Sequence, residues 1–132
     1  MTTFIVLMVV PALLMAGLAF DGGRILTARR HAIDTAQNAA LAGAQAVAGP
    51  VVRQGGVGVA PAQVNAAAQR YLATNEATGT VQAGPNEVTV TVTETVELAL
   101  LPLVGISSRT VTGVGRAQLI RGVTDEEIPA GP

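Results

Sequence analysis

The sequence predicts an α+β fold: a long N-terminal helix that starts as a transmembrane segment, a second amphipathic helix, and a small antiparallel β-sheet. Three observations predict it. Residues 1–20 carry no charged side chain, and 4–20 (FIVLMVVPALLMAGLAF) is a continuous apolar run. Residues 24–48 then place polar side chains at helical spacing, and residues 88–98 alternate valine with threonine at a period of two.

The apolar run is read as a membrane anchor over residues 1–20, with Phe4, Leu7, Pro11, Leu14, Gly17 and Phe20 along it. At ~1.5 Å per residue, seventeen to twenty helical residues span roughly 26 to 30 Å, about the hydrocarbon thickness of a bilayer. Pro11 frees the carbonyl of Leu7, which a membrane helix tolerates as a kink. Two other readings compete. A soluble core could enclose the run, although the rest of the chain is short for that. Gly17 and Ala19 also form a small-x-small pattern that would allow signal cleavage before Phe20, but no basic segment precedes the run. Arg24, Arg29 and Arg30 follow it, so the charge rule taken literally puts the domain in the cytoplasm. A basic stretch upstream of Met1 would reverse that orientation.

Residues 21–49 continue the anchor as an amphipathic helix. Asp21, Gly22 and Gly23 read as a break at the membrane surface, with Asp21 capping the helix that follows and the glycines acting as a hinge. Arg24, Thr27, His31, Asp34, Asn38 and Gln45 fall on one stripe, opposite Ile25, Ile33, Ala36, Ala40 and Val47. Ala28, Ala32, Ala36, Ala40, Ala44 and Ala48 recur every fourth position, a small-residue ridge suited to close helix contact. Its partner is either the second helix or a helix of another subunit, and the latter is the reading developed for function. Gly49 and Pro50 end the helix.

Residues 50–124 form a small α+β domain. Residues 51–60 hold three glycines and read as loop. Pro61 opens a second helix with Val64, Ala67, Ala68, Tyr71 and Leu72 on one face, ending near Asn75 or Gly79. Strands follow at 80–83, at 88–98 and at 109–120. The apolar face of the middle one is broken only by Glu94, and Gly113 and Gly115 weaken the last. Residues 98–106 are uncharged and too irregular for a strand, so they either cover the helix or form an exposed apolar patch for the membrane surface or a partner. Residues 125–132, with three acids and two prolines, read as a tail without structure.

Composition narrows the function. Apolar residues make up 49% and aromatics 2%, so the core must be built mainly of Val, Leu, Ile and Ala. Net charge is −1 and the basic residues are scattered, so nucleic acid is not expected as a partner. All eight are Arg, which suggests a GC-rich bacterial genome. The absence of cysteine excludes thiol catalysis, thiolate metal sites and disulfides. His31, the only histidine, stands three residues before Asp34, and the two read as a solvated helix-face pair. Glu94 and Glu97 point to opposite strand faces and make no acid/base pair. The Gly55-Gly56-Val57-Gly58 run lacks the Lys of a phosphate loop. No catalytic residue, metal site, cofactor or small-molecule substrate is therefore expected, and the chain reads as a non-enzyme.

Residues 11–46, PALLMAGLAFDGGRILTARRHAIDTAQNAALAGAQA, resemble the N-terminal region of TadE/TadG-like proteins of the Tad (Flp-type) pilus assembly system. The resemblance rests on a Pro-containing span, then Gly17, Asp21, Gly23 and Arg24, then an amphipathic segment ending in alanines. It implies a pilin-like bacterial envelope protein with one span, its domain outside the cytoplasmic membrane, and other pilus-assembly or pilin-like subunits as partners. Ile5 stands where pilin-type members carry Glu, so the uncleaved TadG-like type is implied. The alternative is a secreted or surface-anchored binding module whose N-terminus is a cleaved signal.

Overall fold

One helix, α1 (Thr2–Gln54), carries the chain out of the apolar run and into the folded domain without a break. The computed structural model describes the backbone of residues 1–54 and 60–119 and the side chains of 1–46 and 60–119. The 53 residues of α1 reach about 80 Å at 1.5 Å per residue. Gly22 and Gly23 do not break it. Each glycine lowers helix propensity by about 1 kcal/mol relative to alanine, too little to interrupt a helix that the sheet domain fixes immediately downstream. Nor does α1 stop at Gly49. It passes Pro50 to Gln54; the fixed φ of proline is compatible with a helix, although its missing N–H leaves the Ala46 carbonyl without its usual donor. The loop expected over 51–60 therefore starts later. Residues 55–59 and the expected tail at 125–132 lie outside the described residues.

The second helix, α2 (Pro61–Thr74), begins at a proline, which suits the first helical position, and buries Val64, Ala68 and Leu72. It closes with Glu76 N–H on the Ala73 carbonyl and Ala77 N–H on the Leu72 carbonyl, a left-handed closure that places Glu76 at φ 53°. Three strands follow: β1 (Thr78–Ala83), β2 (Glu87–Glu97) and β3 (Ser108–Gln118). They form an antiparallel sheet in the order β1-β2-β3. Both helices lie on one face of it.

Strand alternation builds the core. On β2, Val88, Val90, Val92 and Val96 face the helices and are buried, while Thr93 and Thr95 face outward. On β3 the inward positions are Val111, Gly113, Gly115 and Ala117, paired with Glu94, Val92, Val90 and Val88. The two glycines do not weaken the strand so much as admit the helix. A Cβ at Gly113 would collide with the backbone of Ala32 and Ile33, and one at Gly115 with the backbone of Ala36 and Gln37. Four helical residues advance 6.0 Å and two strand residues about 6.8 Å, so the repeat of the alanine ridge nearly matches that of β3. Ala32, Ala36, Ala39 and Ala40 join Val64, Ala68, Leu72 and the β2 valines in the main core, and Ala28 packs with Val96 and Val111 in a second cluster beside it.

Gly115→Ala should accordingly lower domain stability by roughly 1–3 kcal/mol, because neither backbone can move aside. Gly22→Ala, where the added methyl meets nothing within 4 Å, should be neutral or stabilising by up to about 1 kcal/mol. Urea unfolding in mild detergent, followed by fluorescence of the single Tyr71, reads both. In the same assay Glu76→Gly should stabilise by about 1 kcal/mol, since glycine carries no penalty in the left-handed region. A hinge at residues 21–23 would give the opposite ranking for the first two variants in an assay of function.

Candidate functional site

An aspartate carboxylate offers only acceptors, so a buried one must find donors. Asp21 is fully buried, and its donors come from a turn some eighty residues away. Ala99 N–H donates to Oδ1 at 3.0 Å, and Leu100 and Leu101 N–H donate to Oδ2 at 2.9 and 2.8 Å. These amides open the 3-10 turn Leu101–Val104 and would otherwise lack partners. Asp21 thus fastens this turn to the side of α1; it does not cap the start of a helix. Burial by itself would raise its pKa, but the three N–H bonds and the nearby Arg24 outweigh this and hold it below the ordinary aspartate value.

One helical turn earlier and on the same face, Gly17 lies under the turn. It is buried, and a Cβ there would stand 3.3 Å from Leu100 Cβ and Cδ1. Around it the anchor is bare: Phe4, Leu7 and Leu14 are 66%, 71% and 61% exposed, and Phe20 is exposed as well. The domain of this chain therefore does not enclose the run. Pro11 sits inside the helix without ending it. Among the described residues, α1 is the one helix long and apolar enough to cross a membrane.

Gly23 and Arg24, the remaining residues of the motif, lie beside an open groove of about 710 Å³ between α1 and β2. Phe20, Thr27, His31, Glu94 and Glu97 also line it. The Gly23 carbonyl accepts the Thr27 hydroxyl at 3.0 Å. His31 does not pair with Asp34. Its Nδ1 lies 3.2 Å from Glu94 Oε2, with both side chains well exposed, because the inward register of β2 aims Glu94 at α1. This explains the one acidic residue on an otherwise apolar strand face. Such an exposed pair is worth about 0–1 kcal/mol and orients more than it stabilises. Among the described residues, no three of His, Asp and Glu converge on a point.

The alanine ridge is occupied from within. Ala28, Ala32, Ala36 and Ala40 are buried, and Ala44 is half-buried against the same core. The partner read from another subunit is instead this chain's β3 and α2. A Cβ at Gly43 would likewise stand 3.1 Å from Val64 and 3.3 Å from Ala68. Local sequence could not identify that occupant, since the two features that select it are glycines on a distant strand. The contact between Asp21 and the turn was equally hidden, although the uncharged run 98–106 marked one of its halves.

Residues 1–46 match the protein family described as putative Flp pilus-assembly TadE/G-like. The match ends within α1, before α2 and the sheet, and it includes Gly17, Asp21, Gly23 and Arg24. No curated protein and no solved structure matches the chain significantly. The match agrees with the resemblance carried by residues 11–46.

Because the folded-state pKa of Asp21 is lowered, its contribution to stability is present above the unfolded value of about 3.9 and is lost as pH falls through the lower folded value. Asp21→Asn replaces one acceptor oxygen with an amide donor facing backbone N–H groups. The variant should release the turn at neutral pH, seen as faster proteolysis after Leu100 or Leu103 in detergent. It should also lose the part of acid sensitivity that wild type shows below about pH 4. Equal proteolysis of the two proteins at neutral pH would contradict this role for Asp21.

Proposed function

We propose that this chain is a non-enzymatic, single-pass envelope protein that serves as a pilin-like component of Tad/Flp pilus assembly, with its α+β domain on the extracytoplasmic side of the membrane. The observation that carries the reading is the family match over residues 1–46, which spans the apolar helix and the Gly17-Asp21-Gly23-Arg24 motif. The architecture supports it: a bare apolar helix runs into a domain whose helices pack on one face of a three-stranded sheet. Because the alanine ridge is filled internally, subunit contacts in this reading fall on other surfaces. The outward face of the sheet, with Thr93, Thr95, Thr110 and Thr112 exposed, is available for them.

The alternative of a cleaved signal and a free binding module is disfavoured by continuity. Cleavage after Ala19 would cut α1 between Gly17 and Asp21, both of which hold the same turn. The intact mass of the mature protein separates the two readings.

The chain lacks cysteine, so Thr93→Cys supplies a single thiol on the exposed face of β2. In spheroplasts it should react with a membrane-impermeant maleimide. Labelling only after lysis would reverse the orientation. Deletion of the gene should abolish Flp-type filaments seen by electron microscopy, with recovery on complementation by wild type. Normal filaments in the deletion strain would remove the pilus role.

A further inference from the structure

The turn held by Asp21 is built of apolar residues and faces away from the domain. Leu103 is 85% and Val104 69% exposed, Ile106 and Leu100 are exposed beside them, and residues 98–106 contain no charge. In an ordinary surface loop, water would satisfy the backbone. Here the chain supplies acceptors for most of the N–H groups itself. Besides the three N–H groups on Asp21, Leu98 N–H donates to Ser107, Leu103 N–H to Leu100, Gly105 N–H to Pro102 and Ile106 N–H to Leu101. Pro102 has no N–H to satisfy. Gly105 makes this closure possible by adopting φ 91°, where a side chain would be strained. Apolar side chains outside and paired backbone donors inside lower the cost of moving a segment from water to the headgroup–acyl boundary, where the remaining carbonyls still meet water.

Its position along α1 agrees. Leu100 rests on Gly17, which lies about 4.5 Å along the helix from Phe20 toward the middle of the apolar run. The turn is therefore level with the last part of the span, where Leu14, Leu18 and Phe20 of α1 are exposed as well. Arg24, one turn beyond Phe20, stands where a guanidinium can reach lipid phosphates while its stem stays apolar.

We propose that residues 100–106 insert into the headgroup–acyl boundary of the phospholipid bilayer beside α1, a second, shallow membrane contact clamped to the span by Asp21. The proposal rests on α1 spanning the membrane and is independent of the pilus reading. The occupant is lipid because the surface is apolar, uncharged, level with the end of the span through the contact of Leu100 with Gly17, and has most of its N–H donors paired within the chain.

The chain contains no tryptophan, so Leu103→Trp places one reporter at the tip, where the wild-type side chain is almost fully solvent-facing. Leu14→Trp reports the middle of the span and Thr93→Trp the far face of the sheet. Each full-length variant is reconstituted into phosphatidylcholine/phosphatidylglycerol vesicles containing lipids brominated at shallow or deep acyl positions. The indole at position 103 should emit blue-shifted light and lose more intensity to shallow than to deep bromines. That at position 14 should be quenched best by deep bromines, and that at 93 by neither. Water-like, unquenched emission from position 103 while position 14 is quenched would overturn the inserted turn and leave the span standing. Blue-shifted but unquenched emission would mean that protein, such as a second copy, covers the turn, and would also overturn it. Absence of quenching at both 14 and 103 would remove the span and the proposal with it.

Discussion

The fold depends on a direct backbone contact between α1 and β3. Helices usually meet a sheet through a layer of interdigitated side chains, which keeps the two about 10 Å apart. Here Gly113 and Gly115 remove that layer on the strand and Ala32 and Ala36 thin it on the helix, so the two backbones touch. A core with few aromatics and mostly small side chains is adequate for so close a contact, because closeness substitutes for volume in dispersion and burial. The valines of β2 and the Val64, Ala68 and Leu72 face of α2 then fill the remaining space. With α1 seated by this contact, Glu94 meets His31 and Asp21 meets the turn.

The Asp21 contact differs in kind. The ridge and glycine contact is apolar and fixes how close helix and strand approach, whereas the carboxylate fixes where the connection between β2 and β3 comes to rest. A buried carboxylate with three amide donors has a narrow range of acceptable geometries. It converts an irregular, uncharged run into a defined turn against the end of the span. Arg24 adds favourable charge from the following turn of the helix.

Much of the architecture was legible in the sequence because it is periodic. The apolar run, the polar stripe from Arg24 to Gln45 and the Val/Thr alternation of β2 each repeat at the spacing of the element they form. Glu94 was legible as an exception, but its partner lies sixty-three residues away and no local pattern points there. Asp21 shows the same limit more sharply. Placed before a helical segment, it reads as a cap, and its real donors belong to residues 99–101. The ridge was visible while its occupant was not, because Gly113 and Gly115 count against a strand by propensity and in its favour only once the helix is known to lie on them. Helix ends were the least legible: Gly22, Gly23, Gly49 and Pro50 all signal interruption, yet α1 continues through them.

In a chain anchored through its apolar run, as proposed, an uninterrupted α1 couples the attitude of the domain to that of the bilayer. With no joint at the membrane surface, any tilt the span adopts to match its apolar length to the local hydrocarbon thickness is carried rigidly into the sheet. Over a rod of about 80 Å, a change of ten degrees displaces the far end by about 14 Å, more than the width of a helix. Lipid composition and the crowding of neighbouring spans thereby become variables that aim the outer face of the sheet, with no rearrangement inside the protein.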